Sequence, residues 1–130
     1  MIEEGLKSAL RVIDEIAMEV RAVELLDSLS VTTLQSVRSE VGALSGGQRQ
    51  SVAIARSLLG DPKLVILDEP TAALGVAQTH QVLELVARLR ERGLGVIIIS
   101  HNITNVFTVS DRIIVLRLGR RVATYQTSET

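Results

Sequence analysis

Two short apolar runs, Leu64-Val65-Ile66-Leu67 and Val96-Ile97-Ile98-Ile99, constrain the fold of this chain most tightly. Each has the length and β-branched content of a strand buried on both faces. Between them, Val76, Val82, Leu83, Val86 and Leu89 share one face of an amphipathic helix running from about 76 to 90 and ending near Gly93. Ile113 to Leu116 reads as a third strand, and Gly119-Arg120-Arg121 as a hairpin turn into a short strand from Val122 to Tyr125. Strand, helix, strand, short helix, strand is the α/β pattern, with a mainly parallel sheet flanked by helices. Ligands of such sheets bind beyond the carboxyl ends of the strands. Asp68-Glu69 end the first strand and Ser100-His101 the second, so these polar groups are expected to converge at one sheet edge.

The region upstream is helical. Leu6, Leu10, Ile13, Ala17, Val20 and Val23 recur at helical spacing between Leu6 and Leu29, with Arg11, Asp14, Glu15, Glu19, Arg21 and Glu24 in the gaps. That pattern predicts one or two amphipathic helices. Residues 30–40, rich in Ser and Thr, read as a loop with a short helical turn. Ser45 is a good N-cap, and Gln48 stands three residues later, as in a capping box. Val52, Ala53, Ala55, Leu58 and Leu59 carry that helix to a stop at Gly60-Asp61-Pro62.

Composition closes off several classes. The length of 130 residues suits one domain or a large piece of one. A net charge of −1 gives no support for nucleic-acid binding, and Arg90, Arg92, Arg120 and Arg121 read as solvated faces and turns. The chain has no cysteine, hence no disulfide framework and no thiolate metal site, which fits an intracellular protein. No segment approaches the ~18 apolar residues that span a bilayer. The acidic start, Ile2-Glu3-Glu4, is unlike a secretory signal, so a membrane link is expected through a partner protein.

Three places carry candidate chemistry. A carboxylate at the end of a buried strand, such as Asp68, can hold Mg²⁺, while its neighbour Glu69 can orient or deprotonate a water. The alternative is a pair of carboxylates capping a turn. His101, just past a strand, can bond both a phosphate and a carboxylate, or can be a turn histidine satisfied by backbone groups. His80, within a helix, reads as a surface residue. Ser45-Gly46-Gly47 opens a helix, where glycines admit an anionic ligand to backbone N–H groups, or where an ordinary N-cap sits. The full string Leu44-Ser45-Gly46-Gly47-Gln48 is expected by chance roughly once in a million positions.

Leu44-Ser45-Gly46-Gly47-Gln48, Leu64-Val65-Ile66-Leu67-Asp68-Glu69-Pro70 and Ile99-Ser100-His101 resemble the signature motif, Walker B motif and H-loop of ABC-transporter nucleotide-binding domains. The three stand in that family's order and at its usual spacing. The resemblance implies a partial P-loop NTPase fold in which about residues 1–59 form the helical subdomain segment and about 62–130 the α/β core. It implies that Asp68 holds Mg²⁺, that Glu69 is the catalytic base and that His101 contacts the γ-phosphate. Leu44, Ser45, Gly46, Gly47 and Gln48 are expected to bind the γ-phosphate of ATP held by a partner subunit. It further implies a second nucleotide-binding domain, a transmembrane permease and a cytoplasmic location on the inner face of the membrane. Many family members carry aspartate where this chain has Gly75; Glu69-Pro70-Thr71-Ala72-Ala73-Leu74-Gly75-Val76 is similar to bacterial importers of simple sugars.

The phosphate loop is missing from these residues. There is no Gly-Lys dipeptide, and the two lysines, Lys7 and Lys63, lie in a helix and beside a proline. A phosphate loop needs a glycine-rich turn and a lysine. The reading is therefore the C-terminal part of an ATPase domain, expected on its own to bind ATP weakly and not to hydrolyse it. The alternative is a non-catalytic fragment or interaction module supplying the signature surface to a partner subunit. Relatives with the same motifs serve DNA repair and translation, but the long coiled-coil insertions or paired cassettes that mark them are absent from this sequence.

Overall fold

A computed structural model of the chain describes residues 14–127. The expected helical positions Leu6, Leu10, Arg11 and Ile13 lie outside the described residues. In chain order the elements are α1 (Glu15–Ser28), a 3₁₀ turn (Val41–Ala43), α2 (Gly46–Ser57), β1 (Leu64–Asp68), α3 (Val76–Glu91), β2 (Gly95–Ile99), α4 (Ile103–Val109), β3 (Arg112–Arg117) and β4 (Arg120–Gln126).

β1 and β2 pair in parallel, in register from Leu64↔Gly95 to Asp68↔Ile99, with α3 as the crossover. α2 and α3 cover one face of this pair. Ile54, Ala55 and Leu58 of the α2 region meet Val65 and Leu67 of β1 and Val82, Leu85, Val86 and Leu89 of α3, with Leu29 closing the cluster. The other face is bare among the described residues: Leu64, Ile66, Ile97 and Ile99 are about half exposed, between 46% and 60%. The expectation of strands buried on both faces is thus corrected to burial on one. Within α3, Val76 is 91% exposed and does not join the core, whereas Leu85, outside the expected face, does. In α2 the expected Ala53 and Leu59 are exposed, and Ile54 takes the inward place.

The third strand does not extend the parallel pair. β3 runs antiparallel to β4 in a separate two-stranded sheet, with an irregularity between Val115 and Leu116. Leu118 and Gly119 both have positive φ (50° and 71°), the two-residue geometry that folds β3 back onto β4, so the expected hairpin is present. Arg120 and Arg121, expected in the turn, begin β4.

α1 is capped by Asp14, whose carboxylate accepts from the Ala17 N–H at 3.0 Å. Its expected inward residues Ala17, Val20 and Val23 are exposed; Leu25 and Leu26 are half-buried, and Leu29 just beyond the helix is fully buried. The helix packs its apolar side on the fold at its C-terminal end, while Glu19 nearer its start pairs with Arg38 at 2.7 Å. At the C-terminal end Arg88 donates to the Leu29 and Ser30 carbonyls (2.9 and 3.3 Å) and Arg92 to the Ser28 hydroxyl (3.0 Å). Two cations one turn apart, Arg88 on α3 and Arg92 at its C-cap, thus meet the negative end of α1. Among the described residues no helix is long and apolar enough to cross a membrane.

Candidate functional site

The parallel register brings the carboxyl ends of β1 and β2 side by side. Glu69 N–H donates to the Ile99 carbonyl at 2.8 Å, and Glu69 itself takes a left-handed φ of 46°, uncommon for a glutamate. Its carboxylate lies against the end of β2. Oε1 accepts from the His101 backbone N–H at 3.1 Å and meets His101 Nδ1 at 2.8 Å, while the Ser100 hydroxyl stands 3.5 Å from Oε2. An ionised carboxylate only accepts, so the proton of this contact is on Nδ1. The Glu69 pKa is pushed down from its ordinary value of 4.5, first by the His101 hydrogen bond. Partial burial opposes that shift; the charge and backbone N–H of His101 and the Ser100 hydroxyl add to it. Glu69 is therefore held as an acceptor. The His101 ring remains 83% exposed, leaving Nε2 open to solvent.

Asp68 differs from its neighbour. It ends β1 exposed, and its carboxylate has no hydrogen bond or ion pair among the described residues. No group of three or more His, Cys, Asp or Glu residues that could hold a metal occurs among them. A single free carboxylate fits Mg²⁺ held by that carboxylate together with waters and ligand phosphates.

The signature turn is built locally. Ser45 Oγ accepts from Gln48 N–H at 3.3 Å, and Gln48 Oε1 accepts from Ser45 N–H at 2.8 Å, completing the expected capping box. Gln48 Nε2 donates to the Thr33 carbonyl at 2.6 Å, and Arg49 to the Leu44 carbonyl at 2.6 Å. Both ends of the Gln48 amide are engaged within the chain, and Leu44 is half-buried. A Cβ on Gly46 would lie 3.0 Å from Leu74 Cδ2, and one on Gly47 3.1 and 3.2 Å from Gln78 Cβ and Cγ. Close packing of the start of α2 on Leu74 and Gln78 therefore gives these glycines a structural reason of their own.

The expected site residues thus fall into two groups: Asp68, Glu69 and His101 at the strand ends, and residues 44–48 at the start of α2. No hydrogen bond or ion pair joins the groups among the described residues. Residues 69–75 run between them, tied to α4 where Asn105 donates to Thr71 Oγ1 at 3.2 Å. Sequence reasoning missed Gln78. Its signal was the spacing Gly75-x-x-Gln78, the same offset as Ser45-x-x-Gln48.

Residues 2–72, which hold the signature turn and the Asp68-Glu69 pair, match the family model described as ABC transporter. The chain belongs to the ABC transporter family. It is similar to the fructose import ATP-binding protein FrcA of Rhizobium meliloti, 51% identical over 112 residues, which are 86% of this chain and 43% of that protein. The xylose/arabinose import ATP-binding protein XylG of Sulfolobus acidocaldarius is 46% identical over 82% of this chain and 42% of its own length. Among solved structures, the ADP conformation of MJ1267, an ATP-binding cassette of an ABC transporter, superposes with a TM-score of 0.74 at 29% identity, over 91% of this chain and 45% of that one. CbiO1 from Clostridium perfringens, part of the transporter complex cbiONQ, gives 0.75 at 28% identity, over 95% and 49%. The chain spans less than half the length of these relatives. Its fold is part of the α/β P-loop fold of ABC ATPases.

Proposed function

We propose that the chain is part of the ATP-hydrolysing subunit of a carbohydrate importer, contributing two half-sites that serve different ATP molecules. The observation that carries this reading is the Glu69–His101 contact across the register-matched ends of β1 and β2. The sugar importers named above supply the substrate class. ATP with Mg²⁺ supplies, when bound, the scissile phosphoanhydride and the cation that offsets its charge. Asp68, free and exposed, would hold the Mg²⁺. Glu69 would orient and deprotonate the attacking water through Oε2, which has only the long 3.5 Å contact from the Ser100 hydroxyl, whereas Oε1 takes both His101 contacts. His101 would keep Nδ1–H on Glu69 and offer Nε2 to a γ-phosphate oxygen, which requires both ring nitrogens to carry protons. Ser45, Gly46 and Gly47 would present hydroxyl and backbone N–H groups to ATP held by a second nucleotide-binding domain, while Gln48 holds that turn in shape.

Residues up to about 59 are then the helical subdomain segment and those from about 62 the α/β core, working on the cytoplasmic face of a membrane permease. The phosphate loop comes from outside these 130 residues. That requirement keeps a second reading open, a non-catalytic module offering only the signature surface. ATP-dependent uptake of fructose, xylose, arabinose or ribose into vesicles bearing the assembled transporter decides between them. Glu69→Gln is expected to lower hydrolysis by roughly 10²–10⁴-fold with ATP binding retained. Unchanged hydrolysis in that variant leaves only the module.

A further inference from the structure

A cavity of about 150 Å³ lies where the loop after α1 meets α2 and α3. Its lining includes none of Asp68, Glu69, His101 or residues 44–48. Ser51, 6% exposed, is the one buried polar side chain among the described residues, and it opens on this cavity. The Ser51 hydroxyl has no hydrogen-bond partner among the described residues, nor have the side chains of Thr32, Thr33 and Gln81 around the same space. A buried hydroxyl left unpaired is costly unless something in the cavity completes it. Glu84 and Arg88 close the wall as an ion pair at 3.9 Å, and Arg88 is further engaged by the Leu29 and Ser30 carbonyls. The lining therefore offers donors and acceptors in mixture, no net charge and no aromatic face. An anion gains little from a guanidinium already neutralised, and an apolar ligand would strip the free hydroxyls of water. What fits is a small neutral molecule with several hydroxyls, each both donor and acceptor. The room equals about five waters at about 30 Å³ each, the size class of a single monosaccharide. The Thr33 carbonyl also anchors Gln48, and Ser51 stands on the next turn of α2, so the cavity shares its loop with the support of the signature turn.

We propose that this cavity is a regulatory site for a neutral monosaccharide. Its hydroxyls join Ser51 and Thr32 on one side to Gln81 of α3 on the other, and while bound it opposes any change in the spacing of α2 and α3. The empty cavity leaves that spacing free, so the sugar acts by favouring one arrangement over others. That the occupant is the imported sugar, and that it slows turnover, rests on the importer reading above; the preference for a neutral polyol does not. The test titrates D-fructose and D-ribose into the intact nucleotide-binding subunit by calorimetry. Binding of at least one is expected in the millimolar range, as a few neutral hydrogen bonds without stacking support. Hydrogen–deuterium exchange is expected to slow over residues 30–33 and 81–85 when that sugar is present. Ser51→Ala and Gln81→Leu are each expected to weaken binding roughly tenfold and to remove that protection. In the assembled transporter, saturating sugar is expected to slow ATP hydrolysis roughly fivefold in wild type and less than twofold in Gln81→Leu, whose hydrolysis without sugar stays within about twofold of wild type. No binding of either sugar up to about 100 mM means that the cavity holds water only and overturns the site. Binding that both variants leave unchanged overturns it as well. Hydrolysis that the bound sugar leaves unaltered overturns the regulatory role. If hydrolysis is indifferent to Glu69→Gln, the ATPase reading has failed, and titration with exchange still decides the site.

Discussion

The two halves of the candidate site are built by different means. The signature turn is shaped first by contacts three residues apart, a helix cap closed by Ser45 and Gln48, with a longer tie from Gln48 to the Thr33 carbonyl. The strand-end group is held by contacts 31 and 32 residues apart, and exists only if β1 and β2 pair in one register. A one-residue slip of that pairing would turn alternate side chains to the wrong face and separate Glu69 from His101. A local site survives modest loosening of the core; a register-built site does not.

Variants can break or sharpen that contrast. Leu89, fully buried under the sheet, supports both halves, and Leu89→Ala is expected to lower unfolding free energy by about 2–5 kcal/mol in urea titrations. His101→Ala strikes the strand-end group alone: hydrolysis by the assembled transporter is expected to fall roughly a hundredfold with the unfolding midpoint nearly unchanged. Ser45→Ala removes the local cap hydroxyl and is expected to destabilise α2 by about 1 kcal/mol, read as helix-specific loss of exchange protection over residues 46–57.

The smallest effect is on pH dependence. Folding lowers the Glu69 pKa, so its contribution to stability is fully present above about 4.5, the unfolded value, and is lost as pH falls through the lower folded value. The gap in unfolding midpoint between wild type and Glu69→Gln is therefore expected to hold from neutral pH down to about 4.5 and to close below it. A gap that widens on acidification would contradict the Glu69–His101 contact.

The contrast also explains what was legible in the sequence. The α2 cap, the stop at Gly60 and the two apolar runs could be read directly, because each rests on neighbours in the chain. The bare face of Leu64 and Ile66 could not, since a run of four apolar residues looks the same whether one face or two are covered. The hairpin of β3 and β4 was legible at Gly119; the separation of β3 from the parallel pair was not, because it depends on tertiary placement. The exposed Val20 and Val23 have the helical spacing of core residues, but the apolar packing of α1 on the fold lies near Leu29, a matter of tertiary placement. Asp68, Glu69 and His101 could be named singly; that Glu69 leans on His101 while Asp68 stays free followed only from the register.

The central claim is that the halves of one chain serve different ATP molecules, and co-expressed, differently tagged copies test it most directly. One copy carries Glu69→Gln and the other Ser45→Arg, and the mixed assembly is isolated through both tags. Sites shared between copies gather both defects in one site and leave the other intact, so roughly half of wild-type hydrolysis is expected to remain. Loss of nearly all hydrolysis in that mixture, with half retained when both substitutions sit on one copy beside a wild-type partner, would contradict it.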